Sequence, residues 1–182
     1  MEITRIRMLR GPNLWSRHTA LEAIVSCDES ERSIDSIPQF EIKIRERFPQ
    51  LGSMRRGGHN EVLSLAHALE HAALGLQAQA GCPVTFSRTV QTVDAGVYQV
   101  VVEYTEEVVG RMAFDFGFAL IQATLNDAPF DLAAALSELE ALYEDVRLGP
   151  STGSIVDAAV QRNIPYRRMT EGSMVQFGWG SK

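Results

Sequence analysis

Residues 64–74 read SLAHALEHAAL and place His67, Glu70 and His71, in the spacing H-x-x-E-H, within one apolar, helix-prone stretch. At about 100° per helical residue, His71 lies about 40° from His67, and Glu70 about 60° to the other side. The three side chains share a sector flanked by Leu63 and Leu74, opposite an apolar face of Val62, Leu65, Leu69, Ala72, Ala73 and Leu76. Histidines at i and i+4 can hold one Zn²⁺ through their ring nitrogens, leaving room for a third protein ligand and a water. Glu70, not itself a ligand, would be the catalytic base that takes a proton from that water. This is the inverted zinc-peptidase spacing. The plain alternative is a set of i,i+3 and i,i+4 polar contacts on an exposed helix face.

A metal site needs a third ligand, and the candidates are Glu103 and Glu107. Glu103 follows the apolar run VYQVVV, where a carboxylate needs a partner or a metal to offset its desolvation. Glu107 opens the next helix, where complementing the helix dipole already accounts for it. Other features are plainer. LGPSTGS (148–154) precedes a helix without P-loop spacing, and GWGSK has no required pattern. His18 and His59 stand alone, although His59 is near enough in sequence to approach the triad. Asp115 in an apolar run reads as a buried polar contact. Arg55-Arg56 and Arg167-Arg168 read as solvated surface.

The elements that must position these residues follow from periodicity. Ile3 to Leu9 alternates apolar and charged residues as a half-buried strand does, and Leu21 to Ser26 is a second strand. Phe40 to Phe48 reads as a short helix, with period 2 competing. Asn60 to Ala80 is a long helix ended by Gly81. Pro83–Val93 and Val97–Tyr104 form a hairpin turned at Asp94-Ala95-Gly96. Helices follow over Glu106–Leu125, over Asp131–Val146, and from Pro150 to about Asn163, the last with Ser151 or Thr152 as N-cap. Pro165 to Lys182 is β-like, and its tail reads as the first residues of a further module. The fold class is α+β: a mixed or antiparallel sheet with helices packed mainly on one side.

A chain of 182 residues can bury one good core. Its net charge of −6 argues against a nucleic-acid partner. No stretch approaches the roughly 20 apolar residues of a membrane span, so no membrane partner is expected. Cys27 and Cys82 read as buried free thiols in a reducing compartment, and a cytoplasmic setting is the default.

Several ordered blocks carry a family resemblance: LRGPNLWS, RRGGHNE, HALEHAALGLQAQAGCPVTFSRT, GVYQVVVEYTEEVVGRMA, LGPSTGSIVDAA with RNIPY, and QFGWGSK. In this order they resemble the N-terminal region of cyanophycin synthetases, most weakly over residues 28–54. The resemblance implies a ligase of three parts, in which an N-terminal domain precedes ATP-grasp and Mur-ligase-like modules. Those modules use ATP and Mg²⁺ to build multi-L-arginyl-poly-L-aspartate, the cyanophycin polymer. It implies a polymer-holding domain over residues 1–163, with 164–182 starting the link into the ATP-grasp module. In some members the domain also has a zinc-dependent site that cuts polymer to make primers. Here that site would be His67, Glu70 and His71 with Glu103 or Glu107. Arg55, Arg56 and Arg88 are the candidate contacts to polymer carboxylates. A homo-oligomer is expected for the full-length protein, and the alternative role is a structural module that positions the ATP-grasp domain.

Overall fold

The computed structural model describes residues 1–51, 54, 62–170 and 172–178. Four antiparallel strands make the main sheet: β1 (Glu2–Leu9), β2 (Ala20–Ser26), β3 (Ser87–Gln91) and β4 (Val97–Glu103), in the spatial order β1-β2-β4-β3. The α+β expectation holds, and the sheet is antiparallel. Strand alternation sends Leu21, Ala23 and Val25 of β2 and Tyr98, Val100 and Val102 of β4 into one core. The opposite face carries the cross-sheet row Arg7–Glu22–Val101–Arg88. There Glu22 accepts hydrogen bonds from Arg7, Gln99 and the Trp15 indole.

The helices are α1 (Phe40–Arg47), α2 (Leu65–Gln79), α3 (Glu107–Leu125), α4 (Leu132–Val146) and α5 (Pro150–Gln161). Helix α2 packs on β4 and β3, and α3 packs along α2. That approach is close because small residues meet: a Cβ on Gly117 would lie 3.2 Å from the Ala73 backbone nitrogen and 3.4 Å from the Ala72 Cβ. A short hairpin of β5 (Tyr166–Arg168) and β6 (Val175–Phe177) forms a second sheet.

Two helix starts and the burial of one residue differ from the periodicity reading. Helix α2 begins at Leu65 rather than Asn60, because Ser64 takes extended geometry and caps it. Helix α5 is capped by Gly149 with Pro150 at the first position, so Ser151 and Thr152 lie inside its first turn. Asp115 is not buried, and pairs with Arg111 one turn earlier at 3.0 Å. Helix α3 is also long and apolar enough to cross a membrane by length and composition, contrary to the expectation for the chain. Half of it is buried within the fold, as a core helix requires. The hairpin turn and the Gly81 cap are as expected, with Gly81 at φ +87 and Gly96 at φ +82.

Candidate functional site

His67, Glu70 and His71 share one side of α2, but that side is not an open helix face. Alanines at 66, 68, 72 and 73 let neighbours close in, and Glu70 is only 3% exposed. Glu70 and His71 each have an interaction partner. His67 occupies the third position of the helix and completes a reciprocal capping box with Ser64. The Ser64 amide donates to its Nδ1 at 3.1 Å, and its ring meets Tyr98 edge-on at 5.8 Å between centroids. Nδ1 also lies 3.0 Å from the Ser64 hydroxyl, so the cap engages this ring nitrogen through both the amide and the side chain of Ser64.

Glu103 sits elsewhere. Helix α2 and strand β4 run side by side in the same direction: His67 meets Tyr98 at one end, and the Gln77 amide donates to the Glu103 carbonyl at 2.9 Å at the other. At about 1.5 Å rise per helical residue, Gln77 is about 15 Å beyond His67. Alternation also turns the Glu103 side chain onto the helix-free face. There its Oε2 accepts from the Thr85 and Phe86 amides at 2.8 and 2.7 Å, and Oε1 lies 3.4 Å from His18 Nδ1. The partner that this buried carboxylate needs is backbone.

Glu107 is gripped by Arg10 in a two-pronged pair, with Nε to Oε2 at 2.7 Å and Nη2 to Oε1 at 2.9 Å. The Arg10 hydrogen bond holds its carboxyl below the usual range. The structure therefore brings neither glutamate to the histidines. Among the described residues no group of three His, Cys, Asp or Glu side chains is gathered to hold a metal. Arg88 lies on the helix-free face of β3. Arg55, Arg56 and His59 fall outside the described residues.

A different constellation comes together where α3 begins. A cavity of about 820 Å³ opens between the end of β1, the β4–α3 junction, the end of α4 and β5. Its charged lining is Arg10, Glu106, Glu107, Asp145, Arg167 and Arg168, with Tyr104 and Tyr166 supplying aromatic wall. Arg168 pairs with Glu106 at 2.8 Å and donates to the Val146 carbonyl, so it is an internal strut rather than solvated surface. Burial pushes the Glu106 carboxyl up despite Arg168, and burial likewise raises both phenols. Sequence reading missed this cavity. Its only local signals are the adjacent pairs Glu106-Glu107 and Arg167-Arg168, and nothing in their spacing shows that they meet.

The family described as "Cyanophycin synthase-like N-terminal domain" matches residues 23–126, more than half of the chain. Proteins named cyanophycin synthetase from Trichormus variabilis and from a Nostoc species are each 34% identical over 99% of the chain. One from Geminocystis herdmanii is 34% identical over the whole of it. The chain spans 22% of the length of these relatives. With a family match over more than half of its residues and this alignment along its full length, the chain belongs to the cyanophycin synthase-like N-terminal domain family.

Proposed function

We propose that this domain serves an ATP-dependent cyanophycin synthetase by holding the growing multi-L-arginyl-poly-L-aspartate chain, and that it does not cut it. Similarity to cyanophycin synthetases along 99% of the chain supports the polymer as partner. The observation that carries the non-cutting role is the engagement of Glu103 with two backbone amides and of Glu107 with Arg10, which leaves neither glutamate to complete a zinc site. Arg55, Arg56 and Arg88 remain proposed contacts to polymer carboxylates. Residues 164–182 would lead towards ATP-grasp and Mur-ligase-like modules, where ATP and Mg²⁺ act. Two buried free thiols support a reducing, cytoplasmic setting.

The test is polymer retention together with zinc content, on chain purified without chelator. The expected result is co-sedimentation with insoluble polymer, no stoichiometric zinc, and unchanged polymer length with both wild type and Glu70→Gln. Stoichiometric zinc, with cleavage that disappears in Glu70→Gln, would establish the hydrolase instead. Failure to retain polymer would leave the structural module that positions the ATP-grasp domain.

A further inference from the structure

We propose that the cavity at the start of α3 is a subsite for one zwitterionic arginyl unit, a ligand that carries a guanidinium and a carboxylate together. The proposal rests on the polymer-holding reading and gives it a location. With a volume of about 820 Å³, the cavity falls in the range of small-molecule sites. Its charged lining is balanced, with Arg10, Arg167 and Arg168 against Glu106, Glu107 and Asp145. A ligand of a single sign would meet as much repulsion as attraction there, whereas one carrying both charges is complementary.

The pairing inside the cavity sharpens this. Arg10 is committed to Glu107, and Arg168 to Glu106. Arg167 and Asp145, both exposed on the cavity wall, make no ion pair among the described residues. The lining therefore offers one uncommitted cation and one uncommitted carboxylate, the complement of a zwitterion. Tyr166, half-buried on the wall, adds an aromatic ring against which a planar guanidinium can stack, and burial keeps its phenol neutral. The wall is held in place before any ligand arrives: Thr19 donates to the Tyr104 carbonyl, and Arg168 ties β5 to the end of α4 and the start of α3. In multi-L-arginyl-poly-L-aspartate, each arginine joined through its α-amine to an aspartate side chain keeps a free guanidinium and a free carboxylate. That unit has the required chemistry.

Isothermal titration of the 182-residue chain with β-aspartyl-arginine tests the assignment, with agmatine (a guanidinium without a carboxylate) and poly-L-aspartate as controls. The dipeptide should bind, and both controls should bind more weakly. Arg167→Glu and Asp145→Lys should each weaken dipeptide binding about tenfold, the loss of one charge-assisted contact. Both positions are exposed, so the variants should keep the wild-type circular dichroism. Equal binding of agmatine or poly-L-aspartate, or dipeptide affinity unchanged in both variants, overturns the subsite. Polymer retained by wild type without any dipeptide binding sinks the subsite alone and leaves the polymer-holding role standing. Dipeptide binding without polymer retention does the reverse.

Discussion

Glu103 shows how a carboxylate survives inside an apolar strand without a metal. It is 5% exposed, and its Oε2 accepts from two successive backbone amides. Charge-assisted bonds of this kind offset the desolvation that made the position look like a ligand. Glu103→Ala would leave the Thr85 and Phe86 amides unpaired, at about 1–3 kcal/mol each. We expect a total loss of about 2–4 kcal/mol in urea unfolding, and a smaller loss for Glu103→Gln, which keeps one acceptor oxygen. An unchanged unfolding midpoint in Glu103→Ala would mean that other groups satisfy those amides. His67 teaches the same lesson from the other side. Its spacing suits a metal ligand, yet its Nδ1 caps the helix that carries it.

The element that organises the molecule is the pair α2 and α3, and glycine sets how closely α3 approaches. A Cβ on Gly110 would lie 2.5 Å from the Tyr104 Cβ, an atom fixed to backbone, so α3 or the β4–α3 junction would have to move. Gly110→Ala should therefore destabilise by about 1–3 kcal/mol despite alanine's better helix propensity. Thermal unfolding checks this, and a stabilised variant would show that the junction yields freely. The periodicity of both helices was legible in the sequence, since apolar positions recur every three to four residues. Their ends were less so: Ser64 and Gly149 cap α2 and α5 through local backbone geometry that hydropathy does not encode.

At the scale of the whole molecule, the two cysteines report on the core. Cys27 and Cys82 are 5% and 4% exposed, and burial pushes each thiol up to about 11. A thiol in that range is almost wholly protonated at pH 8 and reacts slowly. Labelling of the native chain by a thiol reagent at pH 8 should therefore wait on opening of the core, and should accelerate across the urea transition. Prompt labelling of either cysteine in native buffer would show that its part of the core opens independently. By itself the sequence determined the α+β class, the strands, the long helices and the buried thiols, because each is written in local periodicity and composition. It also determined the family, through several blocks that resemble the family's in the same order along the chain. Only the tertiary structure decided which charged groups meet. It sent Glu103 to the end of β4 away from His67, turned it to the far face, and brought Arg168 to Glu106 and Arg10 to Glu107. The reason is physical: a side chain's partners depend on strand direction, face and helix placement, and residues far apart in sequence carry no mark of being neighbours in space.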